Sequence, residues 1–262
     1  MRKREFKIPF HFAAAGAIIL LALFLLLGYI WKVLSASPFF SVRQVVVRNS
    51  GQSFDYLKGR NIFKIDLKGE SKKALSGCPG CRKVRFLKVL PDCVIVDFVE
   101  RRPVALAKFY KNYAIDREGV LFSPSGSVEE AGLPVIYGLE AKIFGPKSGV
   151  RYKRPEIDLA LSIIREFNAN KALNDFVLKR VDVSSLQSAK IFIFLPKREA
   201  DYTRAVPQLS WSGFEVRVGE GSMRQKMMIL GGLLTHSEKE LSEIRYVDLR
   251  FNEPVIQFKE KP

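Results

Sequence analysis

Val84-Arg85-Phe86-Leu87-Lys88-Val89-Leu90-Pro91-Asp92-Cys93-Val94-Ile95-Val96-Asp97-Phe98-Val99 reads as two strands joined by a tight turn. Val84, Phe86 and Leu90 mark the first strand, Pro91-Asp92 the turn. Val94, Val96 and Phe98 then alternate with Ile95, Asp97 and Val99. Side chains along a strand point to opposite faces in turn, so this pattern gives the second strand one buried face.

The residues before the hairpin supply what covers that face. Val42, Val45, Val46 and Val47 form a β-branched strand, and Asn49-Ser50-Gly51 turns the chain. Ser53–Leu57 is a short helix with Ser53 as N-cap, and Ile62–Ile65 is a short extended apolar piece. Asp66 caps a helix from Leu67 to about Leu75, which Gly77–Gly80 ends. The order is β-α-α-β-β, a small sheet with two helices on one face.

Further upstream, Ile8–Trp31 contains no Lys, Arg, Asp or Glu. As a helix those residues would rise about 36 Å, enough to cross a hydrocarbon core of about 30 Å with some tilt. Arg2, Lys3, Arg4 and Lys7 precede it, the side that stays in the cytoplasm, and Tyr29 and Trp31 suit the outer interface. The apolar run exceeds that of a cleaved signal peptide, and Ser35-Ala36-Ser37 is followed by Pro38, a poor cleavage site. The expectation is a cytoplasmic stub (1–7), one membrane-spanning helix (8–31), and the remainder outside.

The chain has 262 residues and a net charge of +16. Beyond the membrane such charge meets lipid headgroups and wall polymer rather than nucleic acid, and no compact Lys/Arg block interleaved with aromatics is present. Cys78-Pro79-Gly80-Cys81 has C-x-x-C spacing. In a thiol oxidoreductase the first cysteine sits at a helix N-terminus after a strand, whereas this pair follows a helix and leads into a strand. A small structural disulfide between Cys78 and Cys81 is the favoured reading, with an anchored thiol-disulfide enzyme as the alternative. With His11 and His236 as the only histidines, a zinc site lacks ligands.

After Val99 the pattern changes. Pro103 cannot donate to a sheet ladder and marks the end of the first domain. Ala105–Phe109, Tyr113–Ile115 and Val120–Phe122 are short strands, and Ser123–Gly132 is a polar loop. Pro155 suits the first turn of an amphipathic helix running from Glu156 to about Phe167. Strands follow around Val177–Val183, Ile191–Leu195 and Phe214–Val218, with Pro196–Gly213 as a long loop between the last two. Ser222 caps a helix whose Met223, Met227, Leu230 and Leu234 form a core stripe, although Gly231-Gly232 weakens its last turn. Ile244–Phe251 and Val255–Phe258 are the final strands. No Ser-x-x-Lys and no G-x-x-x-x-G-K loop occurs, and His236 stands alone. No enzyme chemistry and no cofactor is indicated.

Four pieces in order resemble the FtsQ/DivIB family of bacterial cell-division proteins. They are Phe40–Val47 directly after the span; Gly59-Arg60-Asn61-Ile62-Phe63-Lys64-Ile65-Asp66; the strand pair ending in Glu100-Arg101-Arg102-Pro103-Val104-Ala105; and Asp116-Arg117-Glu118-Gly119-Val120-Leu121-Phe122 with Leu133–Gly138 and Tyr246-Val247-Asp248-Leu249-Arg250. The resemblance implies an α+β protein: one transmembrane helix, a POTRA domain (38–103), then a mixed, mostly antiparallel β domain with flanking helices (104–262). It implies a non-enzymatic scaffold in the inner membrane, concentrated at the division septum. Upstream division proteins would meet the POTRA domain, and the FtsB–FtsL pair the last strands. Carried over residue by residue, Arg250 would pair with a partner carboxylate and Phe251 would be an apolar anchor. Asn252, Val255 and Ile256 would line the same edge, and Asp248 would be structural.

Overall fold

A computed structural model describes residues 10–124, 132–194, 213–236, 241–251 and 253–259. The chain divides into two compact units: residues 1–77 with 81–99, and residues 78–80 with 100–262.

The first unit begins with helix α1, Phe10–Ala36, which continues past Trp31. Ile18–Ala36 is long and apolar enough to cross a membrane, and its large side chains are exposed on all sides. Such a helix satisfies its own backbone and needs an apolar surround for its side chains. Strand β1 (Gln44–Arg48) runs parallel to β3 (Cys93–Glu100), and β2 (Cys81–Val89) lies on the other side of β3. Helix α2 is Leu67–Ser76, with the Asp66 carboxylate accepting the Lys68 N–H at 3.1 Å. The expected first helix is only a 3-10 turn, Asp55–Leu57, and Ser53 Oγ accepts the Asp55 N–H at 3.3 Å. Its anchor is Phe54, just before the turn, whose ring meets those of Phe86 at 5.4 Å and Phe98 at 6.0 Å. Val94, Val96 and Phe98 are buried, as the alternation requires.

The second unit is built on one sheet in the order β13-β12-β11-β10-β9-β7-β4-β5-β6-β8. Its strands are β4 Pro103–Lys108, β5 Asn112–Asp116, β6 Val120–Phe122, β7 Val135–Tyr137, β8 Val150–Arg151, β9 Val177–Asp182, β10 Ala189–Phe194, β11 Gly213–Val218, β12 Ile244–Leu249 and β13 Val255–Phe258. Three neighbouring pairs are parallel (β4–β7, β7–β9, β11–β12) and the others antiparallel.

Helices α3 (Pro155–Ala169) and α4 (Met223–His236) belong to the same core as one sheet face. Ile157, Ile164 and Phe167 of α3 and Met227, Leu230 and Leu234 of α4 join Val181, Ile191, Val216 and Val247 there. Gly231 lets α4 approach closely: a Cβ there would lie 2.8 Å from Asn170 Nδ2 and 3.0 Å from Ala172 Cβ. Asn170 Nδ2 in turn donates to the Met227 carbonyl at 2.6 Å. The glycine therefore serves the helix contact, and α4 continues through it. The Pro196–Gly213 loop lies outside the described residues except at Gly213, as does most of Ser123–Gly132.

Two polar devices fix the start of this unit. Asp116 Oδ1 accepts the N–H groups of Glu118 and Val120 at 2.9 and 3.0 Å, which closes the turn between β5 and β6. Its other oxygen is paired with Arg101 Nη1; Asp116 is buried and the Arg101 side chain largely so, with Glu118 3.8 Å from the same nitrogen. This explains why Glu100-Arg101-Arg102-Pro103 and Asp116-Arg117-Glu118-Gly119 occur together: they meet in one ion pair. Cys78 and Cys81 are disulfide-bonded and Cys93 is the free thiol.

Candidate partner-binding site

Strand β13 terminates the large sheet. It pairs antiparallel with β12, placing Val255 opposite Asp248 and Ile256 opposite Val247. Among the described residues no strand lies on its other side, so that side offers unpaired backbone groups. Pro254 stands just before the strand, where its missing N–H does not interrupt the ladder. Val255 and Phe258 are exposed, whereas Ile256 packs against the core.

Leu249 ends β12 inside the core, and the chain then leaves the sheet through Arg250 and Phe251. Phe251 is 64% exposed, so it is not a core residue. Arg250 is held by Asp248. Its Nη2 lies 2.7 Å from Oδ2, its Nε 3.0 Å from Oδ1, and its backbone N–H also donates to Oδ1 at 3.0 Å. Nη1 reaches Ser188 Oγ at 3.3 Å. Asp248 is only 5% exposed. Hydrogen bonds from Arg250 hold its carboxyl below the usual aspartate range, and Arg217 adds to the effect. Asp248 raises the affinity of the Arg250 guanidinium for its proton in return. Gly219 leaves room for this arrangement, since a Cβ there would be 3.3 Å from Arg250 Cγ.

Of the residues expected at this edge, Arg250, Phe251, Val255 and Ile256 thus lie together on or beside β12 and β13. Asn252 lies outside the described residues. Arg250 already has a carboxylate partner within the chain. A partner's acidic group would share the guanidinium with Asp248 rather than find it free.

The sheet face away from α3 and α4 carries a pattern that the linear reading missed. Arg180 pairs with Asp182 at 2.9 Å on β9, and Arg217 with Glu215 at 2.7 Å on β11. With Arg250–Asp248 these are three arginine–carboxylate pairs, each two residues apart and so on one face of its strand or its extension. Each guanidinium also lies over a ring: Arg180 over Tyr137 at 4.1 Å, Arg217 over Tyr246 at 4.1 Å, and Arg250 over Phe251 at 5.5 Å. The signal was the spacing Arg-x-Asp, Glu-x-Arg and Asp-x-Arg inside predicted strands.

Comparisons with known proteins agree with this architecture. Residues 105–250 match the family model "Cell division protein FtsQ/DivIB, C-terminal". The chain is 25% identical over 199 residues to the cell division protein FtsQ of Koribacter versatilis, covering 75% of this chain and 52% of that protein. It is 23% identical over 233 residues to FtsQ of Syntrophotalea carbinolica, covering 86% of this chain and 76% of that one. For FtsQ of Geotalea daltonii the figures are 23% over 240 residues, 87% and 80%. The chain thus spans about half the length of the first of these relatives and more of the other two. With over half its residues inside the family model, and the sheet, helices and single apolar helix in place, the chain belongs to the FtsQ/DivIB family of cell-division proteins.

Proposed function

We propose that the chain is a non-enzymatic, single-span scaffold of the division machinery, concentrated at the septum. The N-terminal stub lies in the cytoplasm and both folded units lie beyond the inner membrane. The first unit, as a POTRA domain, meets upstream division proteins. The second captures an FtsB-type partner, arriving with FtsL, and so links the division ring to septal wall synthesis.

The observation that supports this most is the free side of β13 beside the exposed Phe251 and Val255. A strand added there gains main-chain hydrogen bonds, and the flanking side chains choose the partner. Phe251 gives an apolar anchor, and Arg250, pre-positioned by Asp248, gives a charged one. The test is a titration of the full chain in nanodiscs with an FtsB–FtsL ectodomain from the same organism. Wild type should bind, and Arg250→Glu and Phe251→Ala should each weaken binding with the circular dichroism unchanged. Absence of binding by folded wild type overturns the reading. Binding indifferent to both substitutions removes the site from it.

A further inference from the structure

Beyond the partner edge, the end of the anchor helix is built into the first unit. The last carbonyls of a helix lack partners within it. Here Asn61 supplies one: its Nδ2 donates to the carbonyl of Leu34 at 3.1 Å, and also to that of Ser37, just past the helix, at 3.2 Å. Its Oδ1 accepts the Phe63 N–H at 3.0 Å, and its backbone bridges to Ser41. One side chain thus ties the helix exit to the loop before α2.

A run of rings lies over the same joint. Trp31 meets Phe63 at 5.8 Å, Phe63 meets Phe40 at 5.0 Å, and Phe40 meets Phe39 at 5.1 Å. The two ends of this run face outward: Trp31 is 57% exposed and Phe39 61% exposed. In a water-soluble surface two such large exposed rings joined by two more would be costly. Lys32 is the first charge after the apolar run, so it marks where hydrocarbon gives way to headgroups. Lys64 is exposed beside Phe63, and Lys88 Nζ lies 3.5 Å from the Phe63 carbonyl. The nearby carboxylates are engaged within the unit: Asp92 is 3.8 Å from Arg43, Glu70 is 3.7 Å from Arg60, and Asp66 caps α2.

We propose that this face of the first unit rests on an anionic phospholipid leaflet, with the ring run in the interface and Lys32, Lys64 and Lys88 over the headgroups. The proposal rests on the membrane-spanning reading of α1, whose surface continues into the rings without a break. Aromatic rings favour this depth, and lysines near an acidic leaflet add attraction. The contact fixes the orientation of the unit as well as its tether. Strand β1 starts beside Arg43 and covers about 16 Å, and the exposed Gln52 beyond its far end serves as the reference position for water.

The test uses the full chain with Cys93→Ser, reconstituted in nanodiscs of phosphatidylcholine alone or with phosphatidylglycerol. A nitroxide is placed at residue 39 (Phe39→Cys) or residue 52 (Gln52→Cys). Its collisions with oxygen and with a water-soluble nickel complex report depth. The expected result is an oxygen-to-nickel ratio several-fold higher at 39 than at 52, rising with phosphatidylglycerol. Lys32→Gln, Lys64→Gln and Lys88→Gln together should abolish that rise. Equal ratios at the two positions overturn the contact, and a high ratio at 39 indifferent to lipid charge and to the three substitutions overturns the anionic partner. Neither result bears on capture at β13, which the ectodomain titration reads separately.

Discussion

Arg250 and Asp248 are locked together by the side chain and the backbone of the same arginine, with three contacts of 2.7–3.0 Å to one buried carboxylate. Asp248 therefore positions the exposed guanidinium. Asp248→Asn should weaken partner binding about as much as Arg250→Ala, although Asp248 itself is buried away from any partner. A double-mutant cycle measures this: the two losses should fail to add. Full additivity would show that Arg250 acts without its carboxylate.

The same pair sets a pH dependence. The carboxyl of Asp248 titrates lower in the folded chain than the value of about 3.9 expected when unfolded. The folded chain thus binds fewer protons, and its stability falls as pH drops. The contribution is complete above about pH 4 and disappears as pH falls through the lowered folded value. Urea melts between pH 6 and pH 2.5 should show a smaller acid-induced loss in Asp248→Asn than in wild type.

Phe251 is expected to separate binding from folding. Its ring is largely in solvent, so Phe251→Ala should change unfolding free energy by no more than about 0.5 kcal/mol. The same substitution should raise the Kd for the partner about tenfold or more, as removal of an apolar anchor does. Calorimetry and denaturation on one preparation check both halves.

Asp116 behaves oppositely. Asp116→Ala removes the acceptor for two backbone N–H groups and leaves the largely buried Arg101 side chain with only the exposed Glu118 carboxylate at 3.8 Å. The expected cost is about 3–5 kcal/mol, read as a shift in urea midpoint. Gly138 is a second structural lock. Its φ is +88°, and a Cβ there would stand 2.4 Å from the backbone nitrogen of Ser184. Gly138→Ala should cost about 1–3 kcal/mol from conformation alone, before the clash.

The cysteines discriminate scaffold from oxidoreductase. Their bond closes a very short loop, so replacing both Cys78 and Cys81 by serine should lower stability by about 2 kcal/mol or less. Division in a depletion strain should be restored by that variant. Failure to restore it, with normal folding and membrane insertion, would favour thiol chemistry.

Periodicity carried much of the fold. The stripe Met223, Met227, Leu230, Leu234 and the alternation Val94, Val96, Phe98 each predicted a buried face, because one face of a helix or strand must meet the core. The first helix of the small unit was overestimated: Ser53–Leu57 has a capping residue but room for only one tight turn, and Phe54 supplies its packing. Strand β8 has two exposed residues and left no periodic trace. The ion pair Arg101–Asp116 joins two motifs fifteen residues apart, and sequence shows the motifs but not their meeting. At the candidate site the residue types were legible. The internal engagement of Arg250 by Asp248 was not, because it depends on the chain leaving β12 at Arg250.

The ten-stranded sheet is unequal at its two ends. Beside β6 it finishes in the two residues of β8, too few to template another strand, while at the other end it finishes in the four residues of β13. Subunits that stack through their sheets need a donor edge and an acceptor edge, and the described residues of this one offer a single edge of useful length. Where a partner strand adds as proposed, the described residues offer it one place, at β13, so the expected stoichiometry is one partner segment per chain.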